Sequence, residues 1–442
     1  MGSSDLTPED EVRAFAAAFG DRAFADAAEL LSEDGRDRVV ESFPDEFQDG
    51  TLEVEAVLEQ YWWGLYGQYG GFESVGAVAA EGGEAAVPLR FAGGSETATV
   101  EVDDDGIAGL SFSPDYEVPD YVDREAFAER EVTIDAGDVT LDGVFAVPDC
   151  EGPVPGVVLV HGRGIHDLDG TVGATEILKD LAWGLASDGI ASLRYEKRLA
   201  DHEVPDREYT LDTVVTDDAV AAVSTLTDAQ AVAADETFVA GHSQGGMCAP
   251  RIADRHGGVA GVVLLDPPTD PIVDPDDLAW LRYSMEPDGD LSAEQEAEFE
   301  AMRETFRCIA DGDFEPDDTL LGRPGVWHRS RRGCDPVGTA SDLDAPAFVA
   351  TAGRADEELQ PELYEELRRR YEEWRGADLP NGSRTERYEN VGHYFQRGPA
   401  PVGQTSLYFG GNVAGYVIDD LTEWVHAVVE NSPAPSGDEF SD

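Results

Sequence analysis

Two periods of apolar residues divide the chain. Thr7-Pro8-Glu9-Asp10 reads as a helix start, with a capping threonine, proline in the first turn and acids against the positive helix end. Val12, Phe15, Ala16 and Phe19 then recur at helical spacing, Phe24, Ala27, Leu30 and Leu31 predict a second helix, and Leu52, Val57, Leu58, Tyr61, Trp62 and Leu65 a third. From Val75 the period falls toward two, through Ala86-Val87-Pro88-Leu89-Arg90-Phe91 and Thr97 to Val102. Asp104-Asp105-Gly106 turns the chain into Ile107 to Leu110. Residues 5–112 are therefore expected to form an α+β domain, with Tyr61-Trp62-Trp63 in its core.

Prolines 114 and 119 mark a linker over 113–130. Beyond it, over 131–430, strand segments alternate with helical patterns, which predicts an α/β fold with a mainly parallel sheet. The strand segments are Val132–Ile134, Gly143–Val147, Val157–Val160, Ala191–Arg194, Thr237–Ala240, Gly261–Leu265, Ala347–Ala350 and Arg384–Tyr388. Residues 268–345 interrupt that rhythm and read as a helical lid inserted over the strand ends. The stretch 431–442, rich in Ser, Pro and acid, reads as a disordered tail.

Composition changes the picture of the surface. The chain carries 93 Asp and Glu against 30 Lys and Arg, a formal net charge of −63. Only Lys179 and Lys197 are lysines. With 41% hydrophobic residues there is enough apolar material for a core, so the acid excess is expected on the surface and not in a disordered chain. Such a surface repels itself at ordinary salt, whereas at molar salt the Debye length falls to about 3 Å. The composition resembles that of cytosolic proteins of salt-accumulating haloarchaea. Nucleic acid and anionic membranes are poor partners for it. No apolar run approaches the ~18 residues of a membrane span, and the amino terminus has no secretory pattern. Cys150, Cys248, Cys308 and Cys334 lack metal-site spacing and read as free thiols in a reducing cytoplasm.

The chemistry concentrates in Phe238-Val239-Ala240-Gly241-His242-Ser243-Gln244-Gly245-Gly246. An apolar strand runs into Gly-x-Ser-x-Gly and then a helical pattern, the arrangement that lifts a serine hydroxyl clear of a sheet. Upstream, the strand Val157–Val160 opens into His161-Gly162-Arg163-Gly164, a glycine-rich loop placed to supply an oxyanion donor. Downstream, Asp356 follows one strand and His393 follows the last, giving the chain order Ser, acid, His. Asp266, ending an earlier strand, is the alternative acid.

These residues resemble the α/β-hydrolase esterases of the prolyl-oligopeptidase and dienelactone-hydrolase branch. The resemblance rests on His161-Gly162, Asp167-x-Asp169-Gly170, Asp180 to Ala186, Leu193 to Arg198, the serine turn, Asp335-Pro336, Gly353 to Asp356 and Gly392-His393. It implies the α/β-hydrolase fold with a lid and a small α+β domain in front. It further implies a serine hydrolase acting on small or medium acyl esters, with no metal or organic cofactor. Ser243 would be the nucleophile, His393 the base and Asp356 its orienting acid, with the backbone N–H groups of Arg163 and Gln244 binding the oxyanion. The chain departs from that pattern at Arg163, Ile165, Leu168 and Glu196, positions expected to face the cleft. His166, Asp167, Glu196 and Lys197 are therefore candidates for substrate contact, and Asp167, Asp169, Glu196 and Lys197 could instead brace the oxyanion loop. An aminopeptidase or dipeptidyl-type peptidase, or a degenerate hydrolase that binds a partner, are the competing functions.

Overall fold

The computed structural model describes residues 7–47, 52–164, 167–401 and 403–431. The amino-terminal helices are α1 (Pro8–Gly20), α2 (Phe24–Leu30), α3 (Glu33–Ser42) and α4 (Val54–Tyr69). Thr7 and Asp10 cap α1 reciprocally, each side chain accepting from the other's backbone N–H. The third helix escaped the sequence reading because its apolar period is weak: only Gly35 and Val39 of α3 are buried. An antiparallel sheet follows, with β1 (Phe72–Val75), β2 (Ala79–Glu81), β3 (Glu84–Phe91), β4 (Gly94–Asp103) and β5 (Gly106–Ser111). Tyr61, Trp62 and Trp63 are buried in the core between helices and sheet, as expected of them.

The next strands, β6 (Phe127–Asp135), β7 (Thr140–Pro148) and β8 (Val154–Val160), begin a second sheet. The first of them starts inside the expected linker, and Tyr116 and Tyr121 just before it pack on the second core. After a short ribbon, β9 (Thr171–Val172) with β10 (Thr175–Glu176), come α5 (Ile177–Ser187), β11 (Ala191–Tyr195), α6 (Arg198–Asp201), α7 (Asp217–Thr227), β12 (Val232–His242), α8 (Gln244–His256) and β13 (Gly261–Leu265). The insertion holds α9 (Ala279–Met285), α10 (Ala293–Asp311), the ribbon β14 (Thr319–Leu320) with β15 (Arg323–Pro324), and α11 (Gly325–Arg331). Then α12 (Pro336–Asp342), β16 (Ala347–Ala352), α13 (Pro361–Gly376), β17 (Arg384–Tyr388) and α14 (Gly415–Asn431) complete the chain.

The eight expected strand segments are the eight strands of this sheet, ordered β17-β16-β13-β12-β8-β11-β7-β6. From β17 to β11 every pair is parallel, and β7 and β6 add an antiparallel end. Alternation along the central strands explains the two layers. Val158, Val160 and Val239 face the core under α7 and α8, while Val157, Leu159, Phe238 and Ala240 face the one under α5 and α14. Because the central strands run the same way, residues that follow β8, β12, β13, β16 and β17 all emerge at one edge.

The two units share contacts. Phe409 lies in the amino-terminal core, the Tyr408 hydroxyl donates to the Phe112 carbonyl at 2.6 Å, and Thr405 Oγ1 bonds Gln60 at 3.1 Å. Buried Arg354 donates from Nη2 to the Gly67 carbonyl near the end of α4 (2.5 Å) and from Nε to the Pro399 carbonyl (2.8 Å). Among the described residues, no helix is long and apolar enough to cross a membrane.

Candidate active site

The turn between β12 and α8 places Ser243 in a conformation that L-residues rarely adopt, with φ 54° and ψ −113°. Glycines on both sides make the turn possible. A Cβ on Gly241 would lie 2.1 Å from the Gly245 carbonyl carbon, and one on Gly245 would lie 2.4 Å from the Val160 carbonyl oxygen. The Ser243 N–H donates to the Leu265 carbonyl at 2.8 Å, so the strained residue is tied to the neighbouring strand. Gln244 begins α8, where backbone N–H groups have no acceptor within the helix. Cys248 is buried packing one turn along the same helix.

His393, on the loop after β17, is exposed at the strand edge, and its Nδ1 hydrogen-bonds Asp266 Oδ2. Asp266 follows β13, is 2% exposed, and has φ 46°. Its other oxygen accepts from the Ala352 N–H (3.0 Å) and from Arg370 Nη2 on α13 (2.9 Å). Burial opposes its ionisation, but Arg370, His393 and the Ala352 N–H overcome that and hold the carboxyl down at about 2. With Nδ1 engaged, Nε2 is the imidazole nitrogen left for proton transfer. Buried His242, beside Ser243, donates from Nε2 to the His393 carbonyl at 2.9 Å, and the two rings lie 4.7 Å apart.

The expectation for Asp356 is corrected here: it does not reach His393. It sits in the turn leading to α13, where Oδ1 accepts the N–H groups of Glu358 (2.8 Å) and Leu359 (2.9 Å). An acid at this strand end is spent on capping its own turn, and the acid one strand nearer the centre, Asp266, takes the histidine.

The loop after β8 is braced from several directions. His161 Nε2 donates to the Asp167 carbonyl at 3.1 Å, and its ring packs edge-on against Tyr195. Asp167 holds its own turn, accepting from the Asp169 and Thr171 N–H groups and the Thr171 hydroxyl. Asp169 receives Arg194 Nε at 2.6 Å, and the Glu196 side chain accepts the Leu168 N–H. Burial, outweighing that bond, pushes the Glu196 carboxyl up. These acids build the loop, the bracing role considered for them. His166 lies outside the described residues. Lys197, 4% exposed, donates to the Gly162 carbonyl at 2.7 Å. That oxygen and the Arg163 N–H belong to one planar peptide and point in opposite directions, so a buried ammonium sets where the Arg163 N–H is aimed. A Cβ on Gly162 would lie 3.5 Å from Ser243 Cβ, which brings this peptide alongside the serine.

A serine on a sharp turn, a histidine backed by a buried carboxylate and a braced glycine-rich loop are the kinds of group that acyl transfer requires. Comparison with known proteins places the chain in a family. The model described as the alpha/beta hydrolase family matches residues 157–404. Esterase EstD of Thermotoga maritima is 32% identical over 349 residues, which is 76% of this chain and 78% of that protein. The chain belongs to the alpha/beta hydrolase family. Among solved structures, an esterase from Pyrobaculum calidifontis is 17% identical, with 69% of this chain and 85% of that one covered at a TM-score of 0.42. Est1E from Butyrivibrio proteoclasticus is 13% identical, with 68% and 99% covered at a TM-score of 0.41.

Proposed function

We propose that the protein is a serine carboxylesterase in which Ser243, His393 and Asp266 act together. Ser243 Oγ attacks the ester carbonyl carbon as His393 Nε2 takes its proton, and the carbonyl π electrons move onto oxygen. The oxyanion is bound by the N–H groups of Arg163 and Gln244, each such donor typically worth ~3 kcal/mol in the transition state. Collapse expels the alcohol, which receives the proton from His393, and leaves an acyl-serine. Water, deprotonated by the same imidazole, then releases the carboxylic acid and restores Ser243. Asp266 holds Nδ1 protonated and stabilises the imidazolium while it exists. The insertion between β13 and β16 serves as a lid over this edge.

The observation that carries the reading is the His393–Asp266 pair at the same sheet edge as the strained Ser243 turn. The relative named an esterase supports the ester bond as the one cleaved. The four free thiols and the net charge of −63 support a salt-rich, reducing cytoplasm as its setting.

A fluorophosphonate probe in ~3 M KCl, where screening is nearly complete, tests the reading. Wild type is expected to be labelled at Ser243 and Ser243→Ala not at all, with the site located by mass spectrometry. Folded wild-type protein that resists the probe and hydrolyses no ester would overturn it.

A further inference from the structure

Most arginines of this acidic chain are neutralised. Arg194 meets Glu129 and Asp169, Arg198 meets Asp218, and Arg251 and Arg255 share Asp212. One recess gathers several cations. Arg163, Arg323, Arg331 and His328 all line it, with Trp280 and Trp327 among its apolar walls. Arg323 donates to the Tyr209 hydroxyl and lies over the Trp327 ring, 5.0 Å from its centroid. Arg331 Nε is buried without a hydrogen-bond partner. Among the described residues, no carboxylate forms an ion pair with Arg323 or Arg331. Lys197 lies within electrostatic reach of Arg163 and Arg323.

Positive groups gathered in a poorly solvated recess repel one another. Burial, followed by repulsion from neighbouring arginines, pushes Arg331 down to about 10 and Lys197 down to about 7, and holds His328 below its usual range. An arrangement of this kind is relieved by an anion entering it. The recess also adjoins the reacting centre, because Arg163 supplies its wall with a side chain and the oxyanion loop with a backbone. Tyr394 makes the same connection from the other side, lying close to Arg163 and packing its ring 5.7 Å from that of His393.

We infer that the natural ester carries a carboxylate, which Arg323 and Arg331 receive in this recess while the ester carbonyl lies at Ser243. The inference rests on the esterase reading above and names its substrate class. The guanidinium fork matches a carboxylate edge to edge, and the tryptophans cover the apolar body that joins the two ends of the substrate. A net charge of −63 works against collecting anions from solution, so a locally positive recess is what lets the enzyme accept one.

Two matched pairs of esters test this in ~3 M KCl, where buried pairs are screened far less than surface ones. On the acyl side, p-nitrophenyl hemisuccinate is compared with p-nitrophenyl levulinate after subtracting uncatalysed hydrolysis. On the alcohol side, 4-acetoxybenzoate is compared with 4-acetoxyacetophenone. Wild type should prefer the charged member of one pair by about tenfold or more in kcat/KM. Arg331→Gln should bring that ratio down toward parity, and Arg331→Lys should keep part of it. Equal rates within both pairs, or a preference untouched by Arg323→Gln and Arg331→Gln together, would overturn the inference while leaving the esterase intact. Calorimetric titration of Ser243→Ala with the same four esters separates the two readings. Tighter binding of a charged ester by a protein whose wild type hydrolyses none would uphold the recess and sink the esterase; equal binding of charged and neutral esters would sink the recess.

Discussion

Replacing Asp266 by asparagine changes one atom and removes one charge. Three donors converge on the two oxygens of this carboxylate: the Ala352 N–H, Arg370 Nη2 and His393 Nδ1. Asparagine keeps one acceptor oxygen, and its NH2 must face a donor. Facing Arg370 and Ala352, it would oppose two donors, one of them permanently charged. It therefore turns to His393, which answers by becoming an acceptor at Nδ1 and carrying its proton on Nε2. That tautomer cannot accept the Ser243 proton, and a loss of about 10⁴-fold in kcat is expected. Asp356→Asn, by contrast, retains the oxygen that caps Glu358 and Leu359 and should stay within about twofold of wild type. Steady-state hydrolysis of a p-nitrophenyl ester by the two variants is the assay, with circular dichroism to show that both fold. Asp266→Asn retaining more than about a tenth of wild-type kcat, or Asp356→Asn losing more than about 100-fold, would refute the assignment. Acid unfolding gives a second reading of the same group. Its carboxyl sits at about 2 in the fold against an ordinary 3.8. The difference contributes about 2 kcal/mol, fully present above pH ~4 and lost as pH falls through ~2. Asp266→Asn should remove that part of the acid dependence.

Two other expectations concern the loop and the surface. Lys197→Met frees the Gly162–Arg163 peptide, so kcat should fall about 10- to 100-fold with KM little changed, and Lys197→Arg should restore part of the rate. Because burial pushes Lys197 down to about 7 from 10.5, its contribution makes the fold more stable as pH rises across that window, and the methionine variant should lose this slope. Folding and activity should require molar KCl or NaCl, and full activity in ~0.1 M salt would overturn the haloadapted reading.

Much of this site was legible in the residues because it lies where strands end. Apolar runs locate β8, β12, β13 and β16, and the glycines around Ser243 signal a turn that only they permit. The acid was not decided in the same way. Asp266 and Asp356 each follow a strand, and what separates them is Arg370, 104 positions from Asp266 in sequence, together with two N–H groups that occupy Asp356. The positive recess was invisible for a related reason. Arg163, Arg323 and Arg331 are scattered along the chain, and no periodicity brings an oxyanion loop and a lid helix together. Lys197 reads as a charge beside the loop, but its acceptor, and hence its aiming of a peptide, depends on a strand and a loop crossing in space.

The Arg354 guanidinium, bonded at once to a carbonyl near the end of α4 and to one six residues beyond His393, makes the two halves of the chain a single inheritance. Deleting the first hundred residues would strand a buried cation and release the segment that carries the histidine toward α14. Transplanting the front unit onto another hydrolase would require moving residues 398–409 with it, since Phe409 belongs to its core and Tyr408 and Thr405 are bonded to it. An exchange of either half would have to keep both partners of the joint.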